Sequence, residues 1–254
     1  MKKKFLLLVF GSLCLFGCLN TEEHTTINAD GSGIYKSSVD MSGLFDMIEM
    51  AAMMDTSSNN PLKNISDKVI DSVVTFKSFI DTVTSLTADQ KRLFKDATMR
   101  IKINEKEKAF NFTMTYPFAK IDDLQKLIDL QKSNKLPNPL KESMGGEMPA
   151  TTGNGLPSID KIMDIRFKKG LIERKIDKEK LNDLMNDEQF KEVGKVEEML
   201  EAITFSSSFH LPKAAKKTTG EKLKLSDDKK TATMSYTLLD MVKTPTSLEF
   251  KIEY

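Results

Sequence analysis

The chain has 254 residues, of which 38 are basic and 37 acidic, and only two are cysteine. Residues 1–17 hold three lysines and no acid, so their removal leaves 35 basic and 37 acidic side chains, a net charge of −2. Arginine, the preferred ligand for phosphate, occurs only four times and no basic block stands apart from acids, so nucleic-acid binding is not expected.

The first 17 residues have the layout of a secretory signal peptide. Lys2, Lys3 and Lys4 form a positive segment, and the 15 residues from Phe5 to Leu19 carry no charge and are mainly apolar. A membrane-spanning helix needs about 20 apolar residues, so this run is too short for a stable span. We therefore predict a signal peptide at residues 1–17.

The end of this run, Leu15-Phe16-Gly17-Cys18, resembles the bacterial lipobox, in which a small residue precedes a cysteine that is diacylated and then exposed by cleavage. Gly17 is the required small residue, whereas Phe16 departs from the small or β-branched residue usual at its position. The resemblance implies that Cys18 is the lipidation site and the mature N-terminus. Two or three palmitate-type acyl chains would anchor it stably in a membrane.

The alternative is an ordinary signal peptide in which Cys18 is incidental. If Cys18 is acylated and Cys14 is removed, the mature protein has no free thiol, which excludes disulfides, thiolate metal sites and cysteine catalysis. Residues 18–24 would then be the lipidated cysteine and a tether, followed by one domain over residues 25–254.

The first third of that domain combines a hairpin with helices. Alternating residues and a turn at 28–33 predict a hairpin over 25–41, and apolar spacing predicts a short helix over 43–54. A longer helix is predicted from Ser66 along an apolar stripe of Val69, Val73, Phe76, Ile80 and Val83. Thr87 and Gln90 have the spacing of a capping box, which predicts a helix to about Lys95.

From Met99 the apolar period changes to two. Residues 98–116 are predicted to form a hairpin with one polar face, and a helix over 121–131 follows. Residues 133–158 hold four of the eight prolines and no apolar period, which predicts a flexible insertion, either a linker or a lid.

The last third begins with another predicted hairpin, over 163–176. A helix over 178–202, with a break at Gly194, and four extended stretches within 203–254 are predicted to follow.

These elements predict an α+β fold of hairpin-helix units, with an antiparallel sheet whose one apolar face is covered by helices. The side chains expected on the buried face of this sheet are Phe110, Phe112, Phe205, Phe209 and Phe250.

The candidate metal ligands are few. The spacing of Asn28, Asp30 and Ser32 resembles a calcium loop, but Val39 stands where the bidentate glutamate should be, so a hairpin turn is favoured. The only histidines are His24, in the predicted tether, and His210, on a polar strand face. With no second histidine or cysteine in the domain, no metal site is predicted.

No catalytic or cofactor-binding residue is predicted either. Ser206 and Ser208 lie near His210, but no G-x-S-x-G elbow is present, and the Asp122-Asp123 and Asp227-Asp228 pairs suit a helix start and a turn. Nucleotide-binding glycine motifs are absent from the sequence. We therefore expect no cofactor and a protein that is not an enzyme.

Five methionines between Met41 and Met54 have two interpretations. They pack into the core, or they form an adaptable surface for a lipid or protein partner.

The segments TINADGSGIYKSSVDMS, SFHLPKAAKK and LSDDKKTATMSYTLLDM, following a lipobox, resemble the small uncharacterised envelope lipoproteins of Bacteroidota. They are also similar to the LppM-type lipoprotein domain. The resemblance covers about a third of the chain. It implies an α+β envelope domain and supplies no catalytic residues.

The function expected from the sequence is a membrane-anchored envelope lipoprotein acting as a non-enzymatic binding or structural module. The alternative is a carrier or sensor of an apolar, lipid-like ligand held between the sheet and the helices. The expected partners are the membrane, through the acyl chains, and an envelope protein or that ligand. Leu19 stands where aspartate retains enteric lipoproteins in the inner membrane, so the outer membrane is favoured, on its periplasmic or its surface face.

Overall fold

The computed structural model describes residues 19–43, 45, 69–78, 80–84, 86–104, 106–132, 162–187, 190 and 197–254. Several predictions fall outside these residues. They are the signal peptide, Cys14 and Cys18, most of the helix over 43–54, most of the methionine cluster, the insertion at 133–158 and the break at Gly194.

The described strands form two sheets. The larger has eight strands, in the spatial order β10 (Lys224–Leu225), β11 (Thr231–Thr237), β8 (Thr204–His210), β1 (Asn20–Ile27), β2 (Gly33–Asp40), β5 (Ala109–Phe118), β4 (Thr98–Asn104) and β3 (Ile70–Thr75). The smaller has four, in the order β6 (Met163–Lys168), β7 (Leu171–Ile176), β12 (Phe250–Glu253) and β9 (Lys217–Thr219).

Five α-helices lie in the described part of the chain: α1 (Ala88–Phe94), α2 (Ile121–Lys132), α3 (Lys178–Asn186), α4 (Glu197–Ala202) and α5 (Leu238–Lys243). The α+β class is confirmed, but the single antiparallel sheet is wrong in two respects. There are two sheets, and β1 pairs with β8 in parallel. The chain passes through the strands β6 and β7 of the second sheet before β8 pairs with β1.

The three predicted hairpins are confirmed as β1–β2, β4–β5 and β6–β7. The first turn depends on Gly31, whose φ of 88° favours glycine. Gly33 is needed for a different reason, since a Cβ atom there would lie 1.9 Å from the carbonyl oxygen of Thr26. The capping box is also confirmed: Thr87 accepts from the backbone N–H of Gln90, whose side chain accepts from that of Thr87.

The predicted helix from Ser66 to Val83 is wrong over its described residues, which begin at Val69. Residues Ile70–Thr75 form β3, and two 3-10 turns follow at Phe76–Ser78 and Ile80–Thr82. The apolar residues from Val69 to Val83 are spaced as in an amphipathic helix, but Val69 and Val73 are 71% and 60% exposed and do not pack into the core. Four of the six residues of β3 are β-branched, which favours a strand.

The C-terminal stretch also differs from its prediction. Thr237 ends β11 and caps α5 through a second capping box, which it forms with Asp240. A short helix that was not predicted therefore begins at Leu238. A 3-10 turn at Pro245–Leu248 then leads into β12.

The eight-stranded sheet has one polar and one covered face, as predicted. On β1 and β8 the polar face carries Glu22, His24, Ser206 and Ser208, and serine and threonine dominate it on β11 and β5. The covered face is not covered by helices alone. The smaller sheet lies over the β8 end, where Phe209 contacts Phe167 and Phe250 at ring-centroid distances of 6.3 and 5.4 Å.

Phe110, Phe112, Phe205 and Phe209 face the covered side of the larger sheet, with Phe205 only half-buried. Phe250 is buried as expected, but it belongs to the smaller sheet. Over the β5 half the cover is helical, with Phe94 of α1 packed edge-on against Tyr116 at 6.0 Å.

Gln125 of α2 covers the exposed edge of the smaller sheet. Its side-chain Oε1 accepts from the N–H of Phe167 at 2.7 Å, and its Nε2 lies 3.4 Å from the carbonyl oxygen of Ile165. The amide thus takes the hydrogen-bonding place of a neighbouring strand beside β6, which protects that edge from pairing with another chain.

We expect Gln125→Leu to lower the free energy of unfolding by about 1–2 kcal/mol, because both backbone groups of β6 lose their partner. Gln131→Leu, on the same helix, is the matched control and should change stability by less than about 0.5 kcal/mol. Urea denaturation measures both, and equal midpoints for the two variants would contradict the edge-protecting role.

Candidate functional site

The residue that the sequence predicts as the anchor, Cys18, immediately precedes the first described residue, Leu19. The carbonyl oxygen of Leu19 accepts from the N–H of Thr204 at 3.2 Å, and the Asn20 side chain accepts from the Thr204 hydroxyl at 2.6 Å. Asn20 also pairs with Asp40 on the other side of β1. The predicted tether at 18–24 is therefore wrong from Asn20 onward, because these residues form most of a central strand.

A polar group lies in the middle of the covered face. We call it the Glu23 cluster: Glu23 of β1, Tyr35 of β2 and Ser207 of β8. The Tyr35 hydroxyl donates to Glu23 Oε1 at 2.6 Å, and the Ser207 hydroxyl lies 3.4 Å from Oε2. Tyr35 and Ser207 are buried and Glu23 is half-buried, so these two hydrogen bonds to the carboxyl group lie in a low-dielectric setting.

Two methionines lie in the same row of the sheet as this cluster. Along the register, Met234 lies beside Ser207, and Met114 lies beyond Glu23 and Ser37. Sequence reasoning missed the cluster because it placed Glu23 in the tether. The alternation of Glu23, Thr25 and Ile27 was the available signal, since it puts Glu23 on the same strand face as a buried isoleucine.

Apolar residues on the covered face differ in their burial. Val39, Met114 and Phe205 are half-buried, whereas Ile101 and Phe112, in the same row of the sheet as Val39, are buried. The half-buried residues and the Glu23 cluster together form an apolar surface with a polar centre.

A buried cation lies between the two sheets. Arg174 of β7 is 3% exposed, and its guanidinium lies 5.0 and 4.8 Å from the ring centroids of Tyr236 and Phe250. It donates to the carbonyl oxygen of Leu248 at 3.1 Å and also contacts the sulfur of Met234. No carboxylate in the described part of the chain contacts it, so cation–π and neutral hydrogen bonds hold the charge.

The candidate catalytic residues are not brought together. His24 lies 3.6 Å from Glu22 on the polar face, and the His210 Nδ1 lies 3.1 Å from the Thr231 hydroxyl. Within the described ranges, neither Ser206 nor Ser208 hydrogen-bonds to an imidazole.

The two aspartate pairs have the structural roles predicted for them. Asp123, 2% exposed in the first turn of α2, accepts a two-point contact from Arg92, with its Oδ1 3.0 Å from Nη2. Asp228 accepts from the Ser226 hydroxyl at 2.6 Å and from the N–H of Lys230 at 3.0 Å, in a turn.

The loop at 28–32 is a hairpin turn. Asp30 Oδ1 accepts from the backbone N–H and the hydroxyl of Ser32, and these hydrogen bonds lower the pKa of Asp30. Among the described residues, no three acidic, histidine or cysteine side chains lie close enough together to hold a metal ion. None of the described helices is both long and apolar enough to cross a bilayer.

Comparison with known proteins gives one structural likeness. No family model and no curated protein matches the chain. Among solved structures, the fold is similar to the NMR structure of the folded domain of LppM (Rv2171) from Mycobacterium tuberculosis, over 93% of this chain and 90% of that one. The TM-score is 0.37 and the identity 8%, so no residue role is transferred from it. The resemblance to Bacteroidota lipoproteins stays a prediction.

Proposed function

We propose that this chain is a membrane-anchored lipoprotein of the bacterial cell envelope, with Cys18 acylated, and that its domain is a binding or structural module without enzymatic activity. One observation carries the proposal. The lipobox-like run ends at Cys18 and β1 begins at Asn20, so cleavage before Cys18 would leave the whole of this central strand in the mature chain.

The finer location follows from the residue after the cysteine. Leu19 is not the retention signal of enteric lipoproteins, which supports the outer membrane.

Replacing Cys18 with serine is expected to release the protein from membranes completely, because the acyl chains have no other attachment point. Cells fed an alkyne analogue of palmitate would label the wild type and not the Cys18→Ser variant. Cys14→Ser is the matched control and should keep both label and membrane location. A Cys18→Ser protein that still needs detergent for extraction would contradict the anchor.

A second candidate function is the binding of an apolar ligand with a polar group. The half-buried Val39, Met114 and Phe205 around the Glu23 cluster favour it, since a ligand there would cover their remaining apolar surface and place its polar end at the Glu23 cluster.

Native mass spectrometry of the acylated protein tests this candidate. We expect the wild type to carry the additional mass of a bound amphiphile. The Met114→Trp variant should lose it, because the larger side chain fills the half-buried apolar surface around the Glu23 cluster. Ile34→Trp, on the polar face, is the control and should retain the mass. A wild-type spectrum with no bound mass would contradict ligand binding.

A further inference from the structure

We propose that the end of the eight-stranded sheet that carries Leu19 lies against the lipid headgroups, so that the strands lead away from the bilayer. This inference rests on the proposed anchor at Cys18. It adds the interaction surface and its partner, which is a phospholipid headgroup layer.

The first step is that Leu19 and Asn20 are fixed in the fold. β1 is an interior strand, paired with β2 on one side and β8 on the other over nearly its whole length. Freeing residues 19–24 to act as a tether would break two ladders of hydrogen bonds in the middle of the sheet.

The second step is the reach of the connection. Leu19 is the single residue between the acylated Cys18 and Asn20, the first residue of β1. Because consecutive Cα atoms are about 3.8 Å apart, the Cα of Cys18 can lie no more than about 8 Å from that of Asn20. The headgroup layer is about 5–8 Å thick on each side of the hydrocarbon core. A connection this short cannot hold the sheet end beyond that layer.

The third step is which residues lie at this end. The register places Thr204, Asp40, Asn111 and Lys102 in one row with Asn20. The β4–β5 turn at 106–108 extends past this row, and all three of its residues are exposed. The exposed side chains of this turn are charged and can hydrogen-bond to headgroups. Val69, 71% exposed before β3, adds an apolar side chain at the same end.

The opposite end of the sheet is far from the anchor. β1 has eight residues, and the seven steps of about 3.4 Å between its first and last Cα atoms give a length of about 24 Å. The β1–β2 turn, with the exposed Ala29, therefore marks the end that should lie clear of the membrane.

The test uses the absence of other thiols in the mature protein. Lys106→Cys and Ala29→Cys are made in the full chain, expressed with acylation and labelled with a thiol-reactive fluorophore. Each is reconstituted into phosphatidylethanolamine–phosphatidylglycerol vesicles that contain a lipid with a nitroxide headgroup. We expect the probe at 106 to be quenched severalfold more strongly than the probe at 29.

Flotation of the vesicles separates the two claims. Protein that does not float with vesicles lacks the anchor, which overturns both the proposed function and this orientation. Protein that floats but shows equal quenching at the two positions, or stronger quenching at 29, overturns the orientation alone.

A third variant tests whether the short connection is the cause. Inserting 20 Gly-Ser residues between Cys18 and Leu19 gives a tether with a typical span of about 22–27 Å. The difference between the probes at 106 and 29 should then disappear. If the difference persists, the connection is not what holds this end at the membrane, and the proposal is wrong.

Discussion

Replacing Tyr116 with alanine is expected to lower the free energy of unfolding by about 3–5 kcal/mol, the range for removing a buried aromatic ring. Tyr116 is 1% exposed, and its ring lies about 6 Å from those of Tyr35, Phe76 and Phe94. These rings join β2, β5, the turn after β3 and α1. Losing the central ring therefore opens a cavity where the sheet meets its helical cover.

Tyr116→Phe is the matched control, because it keeps the ring and removes a hydroxyl whose partner is the sulfur of Met114, at 3.0 Å. We expect a change of less than about 1.5 kcal/mol for this variant. Denaturant unfolding measures both, and an alanine variant as stable as the phenylalanine variant would show that the ring is not part of the core.

The same residue predicts a loss of stability in alkali. Burial raises the pKa of Tyr116 above its ordinary value of 10.0. Above about pH 10 the unfolded chain releases a proton that the folded protein keeps, so the free energy of unfolding falls as the pH rises. Tyr116→Phe should reduce this alkaline loss, and an unchanged pH dependence in that variant would contradict the assignment.

Replacing Arg174 with alanine is expected to cost about 2–5 kcal/mol of stability, the range for deleting a long buried side chain. The side chain fills the contact between the two sheets, beneath the rings of Tyr236 and Phe250. Its loss would leave both a cavity and a carbonyl oxygen, that of Leu248, without its partner.

Arg174→Met separates volume from charge. Methionine fills most of the space and removes a buried cation that no described carboxylate contacts, so we expect stability within about 1.5 kcal/mol of the wild type. If the methionine variant is as unstable as the alanine variant, the guanidinium contacts matter more than the filling of the space.

Local signals in the sequence predicted local structure well. The alternation in 98–116 and the Thr87–Gln90 spacing each determine a hairpin or a cap through neighbours in the chain, and both are confirmed. The stripe from Val69 to Val83 failed because the same residues also favour a strand. Only the pairing of β3 with β4 decides between the two, and that contact is distant in the chain.

The relation between distant segments could not be predicted from the sequence. The parallel pairing of β1 with β8 joins residues 184 positions apart, such as Asn20 and Thr204, and no local pattern encodes it. The same pairing brings Ser207 to the Glu23 cluster, whereas Tyr35 belongs to the neighbouring strand of the first hairpin. The cluster could not be predicted while β1 was thought to begin after His24. The prediction of a lipidation site at Cys18, in contrast, depends only on neighbouring residues, those of the lipobox-like run from Leu15 to Cys18.

The mass of the N-terminal peptide, measured on protein extracted from bacterial membranes, decides whether Cys18 is the lipid anchor. We expect a peptide that begins at Cys18 and carries a diacylglyceryl group on its sulfur. A peptide that begins before residue 18, or an unmodified Cys18 in membrane-extracted protein, would contradict the lipid anchor and the orientation derived from it.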